Sequence, residues 1–182
     1  YFISYFFRNV NAIIEADLVG DLGFSAASLG LLTSVYFISF ASFQLPLGLL
    51  LDRFGPRRTE SVLLIFAALG ALIFSMAESL SGLILGRLLI GFGVSACLMA
   101  SFKAYVLWFP PDRLPLMNGL QMVAGGLGAM SATVPLRTAL EFTDWRGVFL
   151  ILSGLTLFSA LVLWLVYPEK EGSAGPVLMK KQ

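Results

Sequence analysis

Arg8, Asn11 and Glu15 stand at i, i+3 and i+7 in the apolar segment that opens the chain, so a helix would carry all three on one face. An arginine at the middle of a membrane-spanning helix costs about 2.5–3.5 kcal/mol, and it is kept where water or a partner reaches it. The chemistry it offers is anion capture, because a planar fork of donors matches a carboxylate or a phosphate. Asn11 would line the same wall. Glu15 lies about 10 Å along the axis from Arg8, too far for a direct bond, and reads as a protonation site. The competing reading is a structural polar cluster between helices, with Glu15 at the outer interface.

Further polar side chains interrupt other apolar segments. Tyr36 and Gln44 lie two turns apart with Phe40 between them and would touch a bound solute or serve as packing. Arg87 reads as a buried gating or coupling residue rather than a lipid-facing one. Lys103 would either snorkel to the inner interface or reach the cavity and help Arg8 attract an anion. Gln121 falls near a stripe of small residues and would face the same cavity. Met99 reads as packing.

These residues need a scaffold, and composition says which. Of 182 residues, 58% are hydrophobic and 13% charged, against about 25% charged in ordinary soluble domains. Mean hydropathy is +0.87. A soluble globule of this size has too much surface to hide that apolar load, so the lipid bilayer is the expected solvent and partner. The chain has no histidine and one cysteine, Cys97. That excludes histidine triads, histidine metal sites and an intrachain disulfide; no metal or cofactor is expected. A net charge of +1 gives no pointer to nucleic acid, and none is expected.

A spanning helix needs about 20 mostly apolar residues. Six segments meet this, at 1–19, 27–51, 60–77, 81–108, 115–139 and 146–167. The expected architecture is all-α: a polytopic membrane protein with a six-helix bundle over 1–167. Residues 168–182 are expected to form a cytoplasmic linker or tail. Arg53, Arg57, Arg58 and Arg113 fall in the even-numbered breaks, and Lys170, Lys180 and Lys181 follow the sixth segment. The odd breaks carry Asp17, Asp21, Glu78, Glu141 and Asp144, with Arg146. Cytoplasmic loops hold the Lys/Arg excess, so both termini are expected inside. Trp108, Trp164 and Tyr167 would form the inner aromatic belt and Trp145 the outer one. The chain opens within an apolar run without methionine, and reads as a piece of a longer protein.

Three motifs give the pattern a likeness. Between the second and third segments stands GLLLDRFGPRRTE, from Gly48 to Glu60. In it Gly48, Asp52, Arg53, Gly55 and Arg57 resemble the loop signature of the major facilitator superfamily, with Pro56 where that pattern has a basic residue. GRLLIGFGVSA, Gly86 to Ala96, is similar to the family's R-x-x-x-G-x-G segment, with Arg87, Gly91 and Gly93 in register. DWRGVFLI, Asp144 to Ile151, is similar to its W-R-x-x-F start of the sixth helix. The resemblance implies the N-terminal half of a twelve-helix transporter, folded as a 3+3 inverted repeat, in the bacterial inner membrane. It implies that the C-terminal six-helix half is a partner absent from this sequence. It also implies that Asp52 caps a helix of that other half in the outward-facing state. From the residues themselves, Gly48 would let the second helix approach a neighbour and Gly55 would permit a tight turn. Arg53, Arg57 and Arg58 would alternatively just set topology and meet anionic lipid.

The leading expectation is secondary transport of a small polar solute by alternating access. An anion such as a carboxylate, phosphate ester or nitrate suits a central arginine, with proton symport as a further option. The texture is that of sugar-phosphate and nitrate permease-like members. A drug/proton antiporter is disfavoured because GGLGAMSATVP, Gly125 to Pro135, departs from the G-P-x-x-G-G signature. An intramembrane enzyme would need a convergent catalytic set, and none is visible. A half-size, non-transporting membrane protein, acting as receptor or assembly partner, is the remaining alternative.

Overall fold

The computed structural model describes residues 1–168; the expected linker and its lysines lie outside them, apart from Pro168. The described residues form helices and no strand. The order is α1 (Phe2–Leu22), α2 (Ala26–Met76), α3 (Leu80–Gly93), α4 (Cys97–Trp108), a 3-10 turn at Pro111–Arg113, α5 (Leu114–Ser131), α6 (Val134–Leu140) and α7 (Trp145–Val166).

Helix α2 has 51 residues, about 77 Å of rise and more than twice the hydrocarbon core. It is divided by Gly55, whose φ of 76° and ψ of 167° are non-helical. Positive φ is open to glycine at little cost, and Pro56 fits at the first position of the following helix. The two arms, 26–54 and 56–76, therefore reverse around GlyPro, as the tight-turn reading of Gly55 expected. By length and composition three helices qualify to cross a membrane: Ala26–Met76, Leu80–Trp108 and Trp145–Val166. Helix α1 carries Arg8, Glu15, Asp17 and Asp21. The α5–α6 segment is diluted by glycines and polar residues and broken at Ala132–Thr133.

The α3–α4 segment lies between the arms of α2. Glycine makes this approach possible. A Cβ on Gly91 would lie 2.4 Å from the Tyr36 carbonyl oxygen, and one on Gly93 would lie 2.3 Å from the Ala67 nitrogen. Helix α7 runs along the second arm, with Ser153 Oγ donating to the Ala68 carbonyl at 2.8 Å and Arg146 to the Ser75 and Ala77 carbonyls at 3.0 and 2.7 Å. Those last bonds satisfy carbonyls that the end of a helix leaves open. Helix α5 packs on α1 in the same backbone-close way, Gly128 meeting the Phe2 carbonyl. Phe7, Ile14, Leu32, Phe74, Ile90, Trp145 and Phe149 fill the core where these helices meet. Trp145, expected in an outer belt, is instead 1% exposed. Its indole donates to Asp21 Oδ2 at 2.9 Å, and that bond lets a polar N–H enter the core.

Candidate functional site

Helix α1 and the first arm of α2 border an open cavity of about 410 Å³ lined by Arg8, Asn11, Ala12, Glu15, Ala26, Leu29, Gly30 and Thr33. The α1 stripe thus shares one wall. The Arg8 guanidinium lies over three rings, 4.9 Å from the centroid of Tyr5, 5.3 Å from Phe40 and 5.8 Å from Phe37. Ring faces attract a cation but fill none of its hydrogen-bonding positions. Its Nε is buried without a partner, and among the described residues no carboxylate pairs with it.

Beside it, Tyr36 is 2% exposed and stacks on Phe40 at 6.4 Å. The Tyr36 hydroxyl has no hydrogen-bond partner. Gln121 on α5 is buried with both amide atoms unpartnered. Unsatisfied buried polar atoms are uncommon, and in a binding site they are where water or solute attaches.

Asn11 bridges helices. Its Nδ2 donates to Thr33 Oγ1 at 2.9 Å, and its Oδ1 accepts from Arg87. Arg87 on α3 is 1% exposed, donates also to the Phe7 carbonyl at 3.0 Å, and lies over the rings of Phe74 and Phe149. Thr33 escaped the sequence reading because an uncharged hydroxyl in a helix is unremarkable. Its signal was its place three residues before Tyr36, on the same α2 face.

Glu15 is exposed on the cavity wall. Gln44 leaves the cavity and donates to the Ser95 carbonyl at 3.2 Å, where α3 ends and α4 has not begun. Of the two readings of Lys103, the one that brings it into the cavity is not met. It does not reach the cavity beside Arg8; its Nζ donates to Asp52 Oδ1 at 2.7 Å and to the Leu51 carbonyl at 2.6 Å. Asp52 therefore has a partner on α4, within this chain. Arg57 donates through Nε to the Trp164 carbonyl at 2.8 Å and lies over the Trp164 ring, covering the end of α7. Arg53 is exposed with its guanidinium over Phe54. Gly48 has no atom within 4 Å of a built Cβ, so the close approach expected of it is not made inside this chain.

The sequence model described as Major Facilitator Superfamily matches residues 1–181. The chain belongs to the Major Facilitator Superfamily. With its apolar helices, this makes it an integral membrane protein. Among superfamily members, the nitrate/nitrite transporter NrtP of Picosynechococcus sp. is 37% identical over 109 residues, which cover 60% of this chain and 20% of that protein. The probable L-galactonate transporter of Escherichia coli is 27% identical over 169 residues, covering 93% of this chain and 37% of that protein. The chain thus spans well under half of either relative. A solved superfamily structure has the same fold: a bacterial homologue of the human lysosomal transporter Spinster, in an inward-facing and occupied conformation. Its TM-score is 0.80 at 21% identity, over 93% of this chain and 42% of that one.

Proposed function

We propose that this chain is the N-terminal part of a secondary transporter that moves a small anionic solute by alternating access. The observation that carries the reading is Arg8, a cation ringed by aromatic faces and without a carboxylate partner on the wall of the α1–α2 cavity. An unneutralised guanidinium in a partly dehydrated site favours an incoming anion. Relatives named for nitrate and L-galactonate support an anionic solute. Asn11 and Thr33 offer polar contacts beside it, and Tyr36 and Gln121 hold unpaired polar atoms for water or solute.

Six spans complete the reading: α1, the two arms of α2, α3–α4, α5–α6 and α7. Their 3+3 division suits the inverted repeats of such transporters. The basic residues at the Gly55 turn favour a cytoplasmic location for that end, in a bacterial inner membrane. Asp52 with Lys103, and Arg57 with Trp164, join the turn to α4 and α7, so the turn moves with this half as one body. Gly48, Arg53 and the open face of α2 are left for the C-terminal half. Glu15 on the cavity wall is the proposed proton carrier.

Uptake by the intact transporter tests this. Arg8→Ala removes anion uptake by about a hundredfold or more and Arg8→Lys retains a fraction of it, because a charge–hydrogen-bond pair is worth about 1.5–3 kcal/mol and a second bond is lost with the fork. Unaltered uptake kinetics in Arg8→Ala, with normal membrane insertion, removes Arg8 from the site.

A further inference from the structure

The bonds made by Arg87 determine which end of the Asn11 amide faces the cavity. A guanidinium only donates hydrogen bonds, so the Asn11 atom that Arg87 meets is the carbonyl oxygen. The amide nitrogen is thereby turned towards α2, where it donates to Thr33 Oγ1 at 2.9 Å. Thr33 in turn gives its own proton to the Leu29 carbonyl at 3.2 Å, which leaves the hydroxyl as an acceptor for Asn11. The amide nitrogen carries two hydrogens, and Thr33 takes one. Asn11 lines the same cavity wall as Arg8, one helical turn along.

Arg87 is itself held in place. Phe74 and Phe149 lie 4.9 and 5.5 Å from its guanidinium carbon, and the Phe7 carbonyl accepts from it at 3.0 Å. Among the described residues no carboxylate pairs with it. The Asn11 carbonyl oxygen is the side-chain acceptor that it meets.

We propose that Arg87 is a positioning residue for anion recognition: by fixing the Asn11 carbonyl oxygen it directs the second Asn11 N–H into the cavity as a donor to the anion held by Arg8. The inference rests on the reading of that cavity as the anion site. A reversed amide would turn an oxygen towards the solute and repel it. A guanidinium and an amide donor together suit an anion that offers more than one oxygen, as a carboxylate or nitrate does.

The substitution Asn11→Asp separates this role from a structural one. It keeps the side-chain shape, supplies the buried Arg87 with a counter-charge, and replaces the donor with an acceptor. In the intact transporter, thermal stability holds or rises. Affinity for the probe anions L-galactonate, glucuronate and nitrate falls at least about tenfold, and uptake shows this as a raised KM with Vmax nearly held. If the variant does not insert, Arg87→Gln serves instead, since it frees the amide to reverse and raises KM in the same way. Unchanged KM in a stable, inserted variant overturns the positioning role. If Arg8→Ala abolishes binding while Asn11→Asp leaves it intact, the cavity reading stands and this inference falls. If the parent binds none of the probes, both fall.

Discussion

Lys103 Nζ lies 2.7 Å from Asp52 Oδ1, which ties the last turn before the Gly55 break to the middle of α4. The lysine also donates to the Leu51 carbonyl, one of the carbonyls left open where the first arm of α2 ends. The contact therefore caps a helix and pairs a charge together, and it fixes the turn to α4, the helix that follows the Arg87-bearing α3.

The pair is modest in energy and testable as a pair. Asp52 is 64% exposed and Lys103 24%, so solvent screens the interaction, and a double-mutant cycle with Asp52→Asn and Lys103→Met gives a coupling of about 0.2–1 kcal/mol. The coupling shrinks as salt rises. In the intact protein Asp52→Asn also shifts the balance of inward and outward states, read by labelling cysteine probes placed on each side. Equal labelling in variant and parent assigns the pair to stability alone.

Glycine contacts give a sharper contrast. A Cβ on Gly93 would lie 2.3 Å from the Ala67 nitrogen and 2.5 Å from the Leu63 oxygen, backbone atoms that cannot swing aside. Gly93→Ala is expected to cost about 1–3 kcal/mol or more by overpacking. Gly154, inside α7, has nothing within 4 Å of a built Cβ, and Gly154→Ala gains about 0.5–1 kcal/mol from helix propensity. Thermal unfolding midpoints in one detergent check both. Movement of the two in the same direction contradicts the packing of α3 against the second arm.

Much of this was legible locally. The α1 stripe follows from 3.6-residue periodicity, and Arg8, Asn11 and Glu15 do share a wall. The Gly55 break follows from a glycine–proline pair set among charges. Partners distant in sequence were not legible. Lys103 meets Asp52 across 51 positions and Arg87 meets Asn11 across 76, and the rotation of α3–α4 between the α2 arms decides both. That rotation depends on Gly91 and Gly93 closing on backbone, which residue types alone do not reveal. The interruption at Ser95 escaped notice because it lies within a run of small and apolar residues with no charge or proline, whereas the one at Ala132 had a signal in Pro135, in the first turn of α6. Trp145 was misplaced because its indole finds Asp21, 124 positions away.

The central claim is that water and an anion reach the wall bearing Arg8, and thiol labelling at a neighbouring position measures this most directly. Ala12 is exposed on that wall, whereas the native Cys97 is buried. In the intact transporter carrying Ala12→Cys, a charged, membrane-impermeant methanethiosulfonate reagent is expected to modify position 12 from one side of the membrane. Saturating L-galactonate or nitrate is expected to slow that modification several-fold, and Arg8→Ala to abolish the protection. Absence of modification from either side, or modification that no anion slows, would contradict the account.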